Sequence, residues 1–295
     1  MKPSINKITF AGMVVALFAM FTNCSHPEPR DVKYNMPDGT IKIVSYNIRL
    51  SSKAKEDGDN AWKYRRDASL EMIQREAPSA FGLQEAMLDQ IEYVNEAFPQ
   101  YEYVGVGRDD GDKEGEFMAI FYLKDKFDLL DSGTYWLSET PDVVSRGWDA
   151  QCNRTLTWVK LKEVATGNEF YYYNTHLDHI GEVAREESVK LIVDIIKKNV
   201  PDGMPVIMGG DLNSSIDSPI FNPLLDINMK SVREIAPETD HKGTFNAFGT
   251  APSNIILDHI FIRGLEPISY RTLVENYGAP YISDHYPIEV VLNLK

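Results

Sequence analysis

Five short apolar runs in this chain each end on Asn, Glu, His or Asp, and a sixth pair of such residues stands just before the last apolar run. Asn47 follows Ile41-Lys42-Ile43-Val44-Ser45-Tyr46, and Glu85 follows Phe81-Gly82-Leu83-Gln84. His176 follows Tyr171-Tyr172-Tyr173-Asn174-Thr175, Asp211 and Asn213 follow Pro205-Val206-Ile207-Met208-Gly209-Gly210, and Asp258 follows Asn254-Ile255-Ile256-Leu257. Asp284 and His285 precede the run that starts at Tyr286. Short β-branched or alternating runs of this kind are strands. A strand holds the residue at its end rigidly while the loop beyond leaves it open, which is how catalytic groups are commonly presented. One polar strand end is merely wet; six drawn from the same four residue types point to a shared site.

Between these strands, Trp62 to Arg75 has helical spacing with Pro78 closing it, Met87 to Phe98 is a second helix, and 182–199 is a third with Val183, Val189, Ile192, Val193 and Ile196 on one side. Further strands are expected near 101–107, 117–123, 127–137, 154–163, 169–175, 268–274 and 286–293. Strands and helices without strict alternation predict a mixed α/β layered domain, with two sheets face to face and helices outside.

The chain divides into three parts. Lys2 and Lys7 precede an uncharged apolar stretch, Ile8 to Phe21, too short to span a bilayer core of about 30 Å comfortably. Thr22-Asn23-Cys24 follows, so 1–24 is expected to be a lipoprotein export segment with Cys24 as the lipidation site. Such a chain is exported and held to a bacterial membrane, on the periplasmic side or at the cell surface, by its lipid alone. Residues 25–39 are polar with three prolines and are expected to form a flexible tether; 40–295 is expected to be one catalytic domain. With Cys24 acylated, Cys152 has no intrachain partner and no disulfide holds the fold. The net charge is −14, and no Lys/Arg stripe is visible. This disfavours capture of nucleic acid by bulk attraction, although an acidic nuclease can work through a metal.

The set Ser-Tyr-Asn-Ile-Arg (45–49), Gly-Leu-Gln-Glu-Ala (82–86), Asn-Thr-His-Leu-Asp (174–178), Gly-Gly-Asp-Leu-Asn (209–213), Leu-Asp-His-Ile-Phe (257–261) and Ser-Asp-His-Tyr-Pro (283–287) resembles the endonuclease/exonuclease/phosphatase superfamily. The motifs stand in the family's order. The resemblance implies an α/β fold that is a four-layer sandwich: two packed, mixed, mostly antiparallel sheets with flanking helices and the site at one rim. It also implies a hydrolase acting on phosphoester bonds, phosphodiesters first, by in-line attack of an activated water.

Residue by residue, the resemblance makes Glu85 the main metal ligand, with Asn47 beside it and Asp284 as a second ligand. Magnesium takes oxygen donors and keeps several waters, so this set suits it, and manganese can substitute. Asp211 resembles the residue that orients or deprotonates the water, and Asn213 is expected to donate to a phosphate oxygen. His285 resembles the histidine facing the phosphate, with Asp258 fixing its tautomer. His176 resembles a second phosphate-facing histidine, with Glu116 orienting it. From the residues themselves, Arg154 is a candidate phosphate clamp, and Asp178, His179 and Arg185 are candidate contacts to a substrate head group. The rims are expected in 51–61, 138–152 and 178–186. Trp148 and Trp158 are candidate stacking surfaces, though such tryptophans are more often packed.

Two other readings stand beside this one. The chain can be an extracellular nuclease on DNA or RNA, which activity on plasmid DNA abolished by His285→Ala would support. Or it can be a non-catalytic surface protein binding glycan or phosphate. Against that stands the intact set Glu85, His176, Asp211, Asn213, Asp258 and His285.

Overall fold

The computed structural model describes residues 26–294. The segment 1–24 and Cys24 lie outside the described residues. Among the described residues, twelve strands form two six-stranded sheets. The first holds β1 (Thr40–Asn47), β2 (Ala80–Gln84), β3 (Tyr101–Val104), β4 (Ile120–Leu123), β11 (Glu266–Thr272) and β12 (Ile288–Asn293), in the order β11-β12-β1-β2-β4-β3. The second holds β5 (Phe127–Trp136), β6 (Thr155–Glu163), β7 (Glu169–His176), β8 (Val206–Asp211), β9 (Lys230–Ser231) and β10 (Asp258–Arg263), in the order β5-β6-β7-β8-β10-β9. Only β1 with β2 and β7 with β8 pair in parallel, so the sheets are mixed and mostly antiparallel, as expected.

Side-chain alternation builds the layers. On β1, Ile41 and Ile43 face the second sheet and meet Val159, Phe170, Ile207 and Ile260 in the core between the sheets. Val44 and Tyr46 face the other way and pack under the helices α2 (Trp62–Glu76) and α3 (Leu88–Ala97). On the far side, α4 (Glu182–Asn199) covers the second sheet through Val189, Ile192, Val193 and Ile196. The order helix, sheet, sheet, helix is the four-layer sandwich the sequence predicted. Val183 departs from the expected apolar face of α4: it sits in the first turn, before the sheet is reached, and is exposed.

The elements run close to their expected bounds, and the misses are short. Loop 51–60 is coiled into short helical turns, including α1 (Ala54–Asp57). The two-residue β9 and the small helices α5 (Asn222–Asp226) and α6 (Val232–Ile235) carry too few residues for a periodic signal. The expected tether is not free of the domain. The Arg30 N–H donates to the Ala97 carbonyl at 2.7 Å, and Val32 and Tyr34 pack against the core below α2 and α3. The packed body therefore begins before Thr40. Among the described residues no helix is long and apolar enough to cross a membrane.

Candidate active site

Strand register places the site. In the parallel pair β7–β8, His176 stands opposite Asp211, and in the antiparallel pair β8–β10, Asp258 stands opposite the same Asp211. Three residues spread over some 80 positions thus stand abreast at one sheet end. On the first sheet, Asn47 pairs with Gln84 across β1 and β2, so Glu85 leaves the sheet beside it. Glu85 turns off with φ 58°, a left-handed conformation that costs a non-glycine residue about 1–3 kcal/mol and persists only where its surroundings impose it. Close approach is also built in at Gly210 (φ 139°), where a Cβ would fall 1.8 Å from the Thr175 carbonyl oxygen. Between the sheets, the Asn174 amide donates to the Leu83 and Ala119 carbonyls, and Gln84 donates to Asn174 Oδ1 at 2.6 Å. This polar clasp holds the two halves of the rim in register.

Asn47 bridges the halves. Its Nδ2 donates to Glu85 Oε1 at 3.1 Å and to Asp211 Oδ2 at 3.0 Å, while its Oδ1 accepts from the Arg49 N–H. Arg49 is clamped by Asp57 and lies 3.4 Å from Asp284. Among the described residues, two sets of metal-competent groups gather within 4.8 Å: Glu85 with His176 and Asp211, and Asp211 with Asp258 and His285. Asp284 belongs to neither; it contacts Arg49 and accepts from Ser283 Oγ. The Glu85–Asp211 corner is rich in carboxylate oxygen and contains no thiolate, the donor chemistry of a hard divalent cation such as magnesium or manganese, and Asn47 turns its amide N–H group, not its oxygen, toward both carboxylates. Burial raises the Asp284 carboxyl; His285 and Arg49 pull it down, and the nearby Glu85 adds to the rise. A cation at this corner would relieve that crowding of like charge.

His285 Nδ1 lies 2.9 Å from Asp258 and its Nε2 3.6 Å from Asp211. Burial works against the imidazolium, but the two carboxylates outweigh it and hold the pKa up at about 10. Asp211 is fully enclosed; burial raises its carboxyl to about 7 against the pull of His285.

Three expected roles change. Glu116 gives both carboxylate oxygens to Arg108, at 2.8 and 2.7 Å, and stands 4.0 Å from His176 Nδ1, so it does not orient that histidine through a hydrogen bond. Asn213 does the orienting instead. Its Nδ2 donates to the Leu177 carbonyl, which can only accept, and lies 3.0 Å from His176 Nε2. Nε2 is therefore the acceptor and Nδ1 carries the proton. With both amide hydrogens engaged, Asn213 has none left for a phosphate oxygen. Asp178 is not a head-group contact either. It is buried and accepts from the Gln151, Ile180 and Gly181 N–H groups and from Arg154 Nε. Arg185 donates to the Asp178 carbonyl. Trp158 is packed against Tyr171 and Tyr173, while Trp148 stays half-buried on the rim loop.

Arg154 holds its expected place on the site side. Its Nε is bound to Asp178 and its Nη2 lies 3.0 Å from His179 Nδ1. A cavity of about 270 Å³ opens beside Glu85 and His176, lined also by Arg49, Arg108, Arg154 and His179. The sequence reading missed Arg49 and Arg108. Arg49 lay inside a quoted motif without a role, and Arg108 sits in a Gly- and Asp-rich turn that carries no chemical pattern.

The sequence profile of the Endonuclease/Exonuclease/phosphatase family matches residues 44–285, and the chain belongs to that family. An endonuclease/exonuclease/phosphatase family protein from Bacteroides thetaiotaomicron is 34% identical and superposes with a TM-score of 0.83 over 87% of this chain and 98% of its own. A mannosyl-6-phosphatase from the same bacterium is 35% identical, with a TM-score of 0.80 over 85% of this chain and 99% of its own. An uncharacterised protein of Acanthamoeba polyphaga mimivirus is 25% identical over 85% of this chain and 99% of its own.

Proposed function

We propose that this chain is a metal-dependent hydrolase that transfers the phosphoryl group of a phosphoester to water. The observation that carries the reading is the convergence of Asn47, Glu85, His176, Asp211, Asp258 and His285 on one rim, within hydrogen-bond or ion-pair reach of one another. The mannosyl-6-phosphatase at 35% identity supports a small phosphorylated substrate. Glu85 and, across the corner, Asp284 would hold magnesium or manganese, and Asn47 would join them only by turning its amide oxygen away from the Arg49 N–H. When bound, such an ion polarises the phosphoryl oxygens and offsets charge that builds on them.

The chain's own residues supply the rest. Among the described residues, Asp211 is the only carboxylate placed between both histidines, 3.5 Å from His176 and 3.6 Å from His285. It is the group to orient the attacking water and take its proton, and its raised pKa favours that transfer near neutral pH. His285, kept cationic by Asp258, offsets charge on the phosphoryl oxygens and can pass a proton to the departing oxygen. His176, with Nε2 held by Asn213, presents its Nδ1 proton to the cavity.

The test is hydrolysis of aryl phosphates by the full chain with magnesium, manganese and calcium in turn. Turnover that needs a divalent ion and falls at least a thousandfold in Glu85→Gln and in His285→Ala is expected. No turnover with any of the ions, or turnover that survives both substitutions, would remove the proposal.

A further inference from the structure

Three residues that line the cavity each carry a buried donor with nothing to bind: Arg108 at Nε, Arg154 at Nη1 and His176 at Nδ1. Each is shielded from solvent and has no hydrogen-bond partner among the described residues. Leaving such groups unsatisfied costs about 1–3 kcal/mol apiece, more for a charged one, unless a ligand meets them. The rest of the Arg154 guanidinium is committed. Asp178 holds Nε, and Asp178 is itself fixed by three backbone N–H groups, while His179 meets Nη2. The fork therefore cannot turn to satisfy Nη1 elsewhere; it is set for an acceptor coming from the cavity.

The floor of that cavity is closed. Arg154 is 4% exposed, Glu116 7% and Arg108 8%, and Arg108 is tied to Glu116 through both guanidinium nitrogens it offers there. The volume, about 270 Å³, lies below the ~300–1,000 Å³ of pockets that enclose a whole drug-sized ligand. A phosphoryl group seated against His176 fits. A second ester arm leaving phosphorus toward Arg154 would run into this buried layer, and it would set an ester oxygen, a poorer acceptor, in place of a terminal one against Arg154 Nη1 and His176 Nδ1.

We infer that the cavity floored by Arg154 and walled by His176 takes the terminal oxygens of a phosphate monoester, which makes monoesters, and not diesters, the preferred substrates. This rests on the proposed hydrolase activity and departs from the diester expectation drawn from the sequence.

The experiment compares para-nitrophenyl phosphate with bis-para-nitrophenyl phosphate on the full chain, using wild type, Arg154→Met and Arg154→Lys, with inorganic phosphate as a separate ligand in thermal unfolding. Wild type is expected to favour the monoester in kcat/KM by roughly tenfold or more, and Arg154→Met to cut the monoester-to-diester ratio by about thirtyfold. Arg154→Lys keeps the charge but not the fork, so it should restore only part of that ratio; it also carries the test if Arg154→Met fails to fold. Inorganic phosphate should raise the midpoint of wild type but not that of Arg154→Met. A diester preference in wild type, or a ratio unchanged in both folded Arg154 variants, overturns the inference while leaving the hydrolase reading intact. If wild type turns over neither ester, the hydrolase reading falls. The phosphate shift then decides the anion site alone: present and lost in the variant, the site stands; absent in wild type, the inference falls too.

Discussion

The carboxylate of Asp258 lies 2.9 Å from Nδ1 of His285, although β10 begins with the first and β12 follows the second. This contact settles which ring nitrogen faces the reaction. Nδ1–H is given to Asp258, and Nε2 points toward Asp211. Asp258→Asn removes the charge and permits the wrong tautomer, and by analogy with other carboxylate–imidazole pairs kcat should fall about 10²–10⁴-fold. The pH profile carries a second signature. The imidazolium is present below its raised pKa of about 10 and is lost as pH rises through that value. Without Asp258 the alkaline limb of kcat should move to lower pH. A limb that stays in place would show that His285 does not act as the cation.

Glu116 is predicted to matter for stability. Its pairing with Arg108 is bidentate and buried. Glu116→Gln leaves a buried guanidinium with a neutral partner, and breaking such a pair typically costs about 3–5 kcal/mol. Chemical denaturation at pH 8 should show this loss. Replacing Arg108 by Met in the same chain should recover part of it. If Glu116→Gln instead unfolds like wild type and loses activity, the residue acts on His176 after all.

Asp178 should show the opposite pH behaviour from a buried neutral acid. Burial alone would raise its carboxyl, but three backbone N–H groups and Arg154 outweigh that and hold it well below the usual carboxylate range. A depressed folded-state pKa contributes stability that is complete above the unfolded value, near 3.8, and is lost as pH falls from there through the folded value. Asp178→Asn should therefore be less stable than wild type by about 1–3 kcal/mol at neutral pH. Thermal midpoints of the two proteins should converge only below the unfolded value. A constant gap across that acid range would contradict the assignment.

Metal binding should be visible without any substrate. An ion bound only by the folded chain stabilises it by about 2.7 kcal/mol at a hundred times its Kd. Magnesium or manganese should raise the thermal midpoint of wild type, a chelator should reverse this, and Glu85→Gln should respond weakly or not at all. An equal shift in Glu85→Gln would place the ion elsewhere.

Much of this was written along the chain. The β-branched run ending at Asn47, the tyrosine run ending at His176 and the apolar face of α4 each carry their conformation locally, because strand alternation and helical spacing are properties of neighbouring residues. What the residues at the strand ends do to one another was less legible. Glu116 and His176 were expected to pair, yet Arg108, from a turn with no motif, takes both of its oxygens. Asp178 looked like a free carboxylate two positions past His176, but the loop folds back and spends it on its own backbone.

The order and type of the strand-end residues determined the family, the sandwich and the members of the site, since six polar ends of one chemical kind leave few other reasons to exist. Only the tertiary structure decided their partners. Register brings His176 and Asp258 to either side of Asp211, and the two sheets bring Asn47 to the same carboxylate from the other half of the sandwich. Hydrogen-bond roles follow from distances of a few ångströms between residues far apart in the chain, and no local pattern encodes those distances.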